Sequence, residues 1–198
     1  QEVDEEQVVM PTKSRATVPP AGDAALIEEA AVLLVNGERP AIIVDRGARY
    51  TIDGYADAIA SISDHLKAPL AVASSACRGL FGDESTNPLL GQSLRGMKPV
   101  GQADVVLTFG CQFDWHINQG WGIRKDAKVI QVNTNMKHIG YNVNVDVGIV
   151  GGAGPVAAQL LAAIKSRRNN AASESWMKES NLGVASLPEK YHSDNIPI

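Results

Sequence analysis

The chain has 198 residues, 44% of them hydrophobic and 5% aromatic, with a formal net charge of −4. That length and apolar fraction suit one domain with a substantial core and some tail, and they exclude global disorder. The acidic balance gives no basic footprint for nucleic acid, and no apolar run approaches the roughly 20 residues that cross a bilayer.

Residues 1–22 read as a linker: charged at first, then Pro11, Pro19, Pro20 and Gly22, with no sustained period. The acidic start, Gln1 to Gln7, is the opposite of a secretory leader, and a first residue of Gln suggests a segment cut from something longer. Asp23 is a good N-cap for an Ala-rich helix from Ala24 to Asn36, which Gly37 stops. Pro40 opens a β-branched run, Ala41-Ile42-Ile43-Val44, that favours a strand. Thr51 is placed to cap a second helix reaching Lys67, whose Ile52, Tyr55, Ile59, Ile62 and Leu66 recur at helical steps. Pro69 ends it, and Leu70 to Ala73 is a second strand. Residues 74–100, studded with Gly and Pro, read as a long loop.

Asp104 to Phe109 is a third strand running straight into Gly110, Lys128 to Asn133 a fourth, and Val145 to Val150 a fifth. A last helix, Gly154 to Arg167, carries Val156, Leu160, Leu161 and Ile164 on one face. The Lys165-to-Arg168 basic cluster is a solvated helix end, and residues 168–198 read as an exit linker. Alternating strands and helices rich in Gly, Ala, Val and Ile predict an α/β domain over 23–167. Its architecture is an open, Rossmann-like parallel sheet of five or six strands with helices on both faces.

In such sheets ligands lie beyond the carboxyl ends of the strands, at the switch point. The candidate cofactor-binding residues there are Gly47, Ala48, Gly110 and Asn133. Val44-Asp45-Arg46-Gly47-Ala48 occupies the phosphate-loop place, but only one glycine is present and Asp45 would repel a phosphate; nucleotide binding and a plain tight turn are both open. Asn133 is placed either to bond a ribose hydroxyl or to form a turn. The run Phe113 to Trp121, with two Trp and His116, builds a binding wall or anchors the loop. His65, His138 and His192 are expected in solvent. Ser74, Ser75 and Cys77 lie together without a G-x-S-x-G elbow; Arg78 beside Cys77 would lower its pKa, but a passive loop thiol is the simpler reading. Two cysteines, Cys77 and Cys111, with no CxxC pair and no His at ligand spacing, indicate a reducing cytoplasm and no zinc. No catalytic acid–base pair and no metal site is marked.

The segments 40–44, 69–72, 78–81, 88–91, 103–110, 128–133 and 145–151 together resemble, in order, the central domain of thiamine-diphosphate-dependent enzymes. Phe113-Asp114 resembles acetolactate synthases. Trp115 with Gly120, Ile130 to Val132, and Ile139-Gly140 are similar to oxalyl-CoA decarboxylases and 2-hydroxyacyl-CoA lyases. The resemblance implies a parent that cleaves or decarboxylates 2-keto or 2-hydroxy acid derivatives with thiamine diphosphate and Mg2+. Both are then bound outside this segment, by a preceding pyrimidine-binding and a following diphosphate-binding domain. It implies a homodimer or homotetramer, and FAD or ADP in some relatives' central domains. Three departures from nucleotide-binding members stand out: Asp45 for the first loop Gly, Asn133 for the ribose Asp, and Gly152 for the Asp of a Gly-Asp pair. A degenerate nucleotide site on a scaffold domain is therefore expected. The rival class is a stand-alone nucleotide-binding module or nicotinamide-dependent enzyme, which would want a fuller glycine fingerprint and its own acid or base.

Overall fold

The computed structural model describes residues 18–51, 56–82, 89–92, 98–167 and Trp176. Helix α1 (Ala24–Asn36) begins where the Asp23 carboxylate accepts from the N–H groups of Ala25 and Leu26 at 3.0 and 3.2 Å. It ends where Gly37 N–H returns to the Leu33 carbonyl. Strands β1 (Pro40–Val44), β2 (Leu70–Val72), β3 (Leu90–Gln92), β4 (Val105–Phe109), β5 (Lys128–Asn133) and β6 (Val147–Val150) form one sheet, all pairs parallel, in the order β3-β2-β1-β4-β5-β6. Helices α2 (Ala56–Leu66) and α3 (Ala153–Lys165) complete the frame.

Alternation along each strand sorts the core. Ile42 and Val44, Leu70 and Val72, Leu107 and Phe109, Ile130 and Val132, Val147 and Ile149 point to one face, where all three helices pack. Side chains such as Leu34, Ile59, Ile62 and Leu160 are withdrawn from water there, each worth about 1.5–3 kcal/mol. Ala41, Ile43, Ala71 and Val106 point to the other face, covered by Ala103 and by Val100 of a helical stretch at 98–100. Beyond them Cys111, Phe113, Ile117 and Val129 form a smaller cluster that lays the loop after β4 onto the sheet. With both faces covered, the central strands are buried along their length: β1 and β4 have no exposed residue.

Strand β3 lies inside the region read as loop. It has three residues, none of them β-branched, and its pairing with β2 (Leu70 opposite Leu90) makes it a strand. Residues 52–55, the expected start of the second helix, lie outside the described residues. Thr51, expected to cap that helix, is bonded to a distant one. Its hydroxyl accepts from Ala153 N–H at 3.0 Å and its carbonyl from Gly154 N–H at 2.9 Å, so it caps α3, more than a hundred positions away. Gly152 offers no side chain for that purpose.

The flanks dock at opposite ends of the sheet. Gly22 exchanges two bonds with the Gln159 amide, and Gly152 N–H reaches the Pro20 carbonyl at 2.8 Å. Trp176, 1% exposed, donates its indole N–H to the carbonyl of Pro40, the first residue of β1. Replacing Thr51 by Val keeps the shape and removes the cap. Urea unfolding should then show a loss of about 1 kcal/mol, whereas a Thr51 that capped only its own helix would leave hydrogen exchange in α3 unchanged.

Candidate functional site

The switch point lies between β1 and β4, the two central strands whose connections leave in opposite directions. Beyond their carboxyl ends the turn 45–49 and the turn 110–114 meet backbone to backbone. Gly47 N–H donates to the Gly110 carbonyl at 3.1 Å. Gly110 has φ +66°, and a methyl group on it would collide with the backbone of Gly47 and Ala48. Asp45, 2% exposed, accepts from Arg46 N–H at 2.7 Å, so its carboxylate is held within its own turn. The Arg46 guanidinium crosses the junction to the Asp114 carboxylate.

The four candidate residues do converge. Gly47, Ala48 and Gly110 are in contact, and Gly110 N–H reaches Val132, the neighbour of Asn133. Asn133 spends both ends of its amide internally. Its Nδ2 donates to the Cys111 carbonyl at 3.1 Å, and its Oδ1 accepts from Asn135 N–H at 2.9 Å. Gln131, fully buried, supports the same corner: it donates to the carbonyls of Cys111 and His138 and accepts from Gly140 N–H. Sequence reasoning missed Gln131 and the Asp114 carboxylate as structural partners. A buried amide in a strand was the only signal for the first, and none existed for the second.

Phe113 and Ile117 anchor the loop after β4, while Trp115 and Trp121 are 72% and 78% exposed and do not pack on the sheet. The side chain of His116 lies outside the described residues, as does His192. His65, in the last turn of α2, and His138, in the turn after β5, are half-buried, a correction to their expected solvation. A separate cavity of about 710 Å³ opens at the amino ends of β5 and β6, between Gln119–Trp121 and Asn142–Asn144. Four of its charges are paired, Arg124 with Asp126 and Lys128 with Asp146 at 2.7 Å, and Lys125 adds a further cation.

Both thiols are buried and held in the protonated form. Burial, reinforced by the Asp45 carboxylate, pushes Cys77 up to about 11 and raises Cys111 as well, so Arg78 does not activate Cys77. The thiol that Cys77 keeps is useful as a donor to the Asp45 carbonyl at 3.4 Å. Among the described residues no group of three or more His, Cys, Asp or Glu could hold a metal. Among the described residues, then, none assembles the carboxylate set that the Mg2+ of thiamine diphosphate would take.

The comparisons agree with this geometry. The family described as "Thiamine pyrophosphate enzyme, central domain" matches residues 27–160. A sulfoacetaldehyde acetyltransferase from Roseovarius nubinhibens is 34% identical over 77% of this chain and 26% of its own length. A 2-hydroxyacyl-CoA lyase from Oryza sativa is 32% identical over 71% of this chain and 24% of its own. Benzoylformate decarboxylase from Polynucleobacter necessarius shares the fold, with a TM-score of 0.63 at 18% identity over 86% of this chain and 32% of that one. The chain belongs to the thiamine pyrophosphate enzyme central-domain family. It spans about a quarter of the length of the curated relatives it matches. Relatives in this family include acetolactate synthases, oxalyl-CoA decarboxylases, lyases and acetyltransferases, so the domain is a part of thiamine-diphosphate enzymes.

Two outcomes follow. Gly110→Ala should cost roughly 2–5 kcal/mol, the sum of left-handed strain and overpacking, and leave little soluble protein on expression. Both thiols should resist iodoacetamide at pH 8 until the chain is unfolded. Because their folded pKa values exceed the unfolded ones, the native state holds the extra protons; stability is full below about pH 9 and falls as pH rises towards 11. Cys77→Ala should flatten that slope in alkaline denaturation curves.

Proposed function

We propose that this chain is the non-catalytic central domain of a thiamine-diphosphate-dependent lyase, decarboxylase or carboligase acting on 2-keto or 2-hydroxy acid derivatives. The observation that carries the reading is the match of residues 27–160 to the family's central domain. The body, 23–167, acts as a spacer between a pyrimidine-binding domain before it and a diphosphate-binding domain after it. The segments 1–22 and 168–198 run to those neighbours. The docking of Gly22 beside Gln159 and of Trp176 on Pro40 supports this, because it holds the incoming and outgoing chain at opposite ends of the sheet. Mg2+ accompanies the diphosphate in the neighbouring domain, and the assembly is a homodimer or homotetramer of cytoplasmic location. The exposed Trp115 and Trp121 suit contacts with a neighbouring domain.

Calorimetric titration with thiamine diphosphate and Mg2+ tests the division of labour. The 198-residue chain should give no binding heat, and the complete enzyme should bind with micromolar or better affinity. Micromolar binding by the segment itself would end the scaffold reading.

A further inference from the structure

A dinucleotide fold receives a diphosphate on free backbone N–H groups at the first strand-to-helix turn, in the crevice at the switch point. In this chain those donors already have partners. Arg46 N–H is held by the Asp45 carboxylate, Gly47 N–H by the Gly110 carbonyl, Ala48 N–H by the Asp45 carbonyl, and Arg49 N–H by the Arg46 carbonyl. The second amide-rich place, the start of α3, is likewise consumed: Gly152, Ala153 and Gly154 donate to the Pro20 carbonyl, the Thr51 hydroxyl and the Thr51 carbonyl. The residue that would face a ribose, Asn133, spends its amide on Cys111 and Asn135. Two cations stand on this turn, Arg46 and Arg49, and Arg46 faces Asp114.

We propose that the nucleotide crevice of this domain is closed by the chain itself. Asp114 supplies to Arg46 the negative charge that a nucleotide diphosphate would bring, and the Gly47–Gly110 backbone contact fills the space. The ion pair and the glycine contact form one latch, which holds the turns after β1 and β4 together without FAD, ADP or any other nucleotide. For a diphosphate to enter, it would have to displace the Asp114 carboxylate and break several backbone bonds, with Asp45 adding repulsion. The inference takes from the family reading only the kind of ligand at issue; the closure rests on the hydrogen bonds.

The test uses the complete enzyme. Its heat-released supernatant should contain no ADP, FAD, NAD or coenzyme A in proportion to protein, and about 1 mM of each should leave the melting temperature unchanged, since a ligand that binds only the folded state must raise it. Arg46→Gln and Asp114→Asn should each lower the melting temperature, and the double variant should melt no lower than the worse single one. A nucleotide recovered near one per chain, or a clear rise in melting temperature with ADP or FAD, would overturn the closure. Additive losses in the double variant would overturn the latch, and the wild-type ligand assays decide the closure even if a variant fails to fold. Binding of thiamine diphosphate, measured on the same preparations, reports separately on the family reading.

Discussion

The contact on which the carboxyl end of this domain depends is the approach of two backbones, Gly47 to Gly110. Two parallel central strands whose chains turn opposite ways ordinarily leave a crevice between their exits. Here that space is taken by main chain alone, because neither residue carries a side chain and Gly110 adopts a φ of +66°. From that contact the rest of the corner follows. The turn after β1 tightens into a single 3-10 turn over Arg46–Ala48, and Asp45 is drawn inside. Arg46 is brought within reach of Asp114, and Tyr50-Thr51 is carried to the start of α3.

The opposite face of the sheet solves a different problem. Its β5 side is polar, with Gln131 and Asn133 both buried, and a buried amide without partners would cost about 1–3 kcal/mol. Both donate to a single acceptor, the Cys111 carbonyl, and Gln131 also holds His138 and Gly140. The two amides thus fasten the loop after β5 to the turn after β4. Apolar cover from Phe113 and Ile117 completes the attachment, so the crossover between β4 and β5 packs on the sheet with only a short 3-10 element in it.

A scaffold between two other domains needs a stiff body and well-anchored ends. The continuous core beneath three helices supplies the first. The second comes from the paired bonds of Gly22 with Gln159 and from the buried indole of Trp176 on Pro40. An indole held at the amino end of β1, with Pro20 held beside the start of α3, spaces the two exits by the length of the sheet itself.

Much of this was legible in the sequence. Asp23 and Gly37 bounded α1, and the runs 105–109 and 128–133 emerged as strands, because caps and β-branched runs act over a few neighbouring residues. The convergence of Gly47, Ala48, Gly110 and Asn133 was also legible, since parallel strands of known order bring their carboxyl ends together. Tertiary structure decided what those residues do there. Thr51 read as a cap for the helix that follows it, and its hydroxyl also serves α3, which no local spacing announces. Asn133 read as a ribose or turn residue, and its Oδ1 does take Asn135 N–H as a turn residue would, while its Nδ2 holds the Cys111 carbonyl. Asp45 read as a charge facing a ligand, yet it turns onto Arg46 N–H. Strand β3 is a strand only because β2 lies beside it. Local signals specify which residues form an element, but the partner of a buried polar group is chosen by whatever the packed chain places within about 3 Å, and no spacing along the sequence encodes that distance.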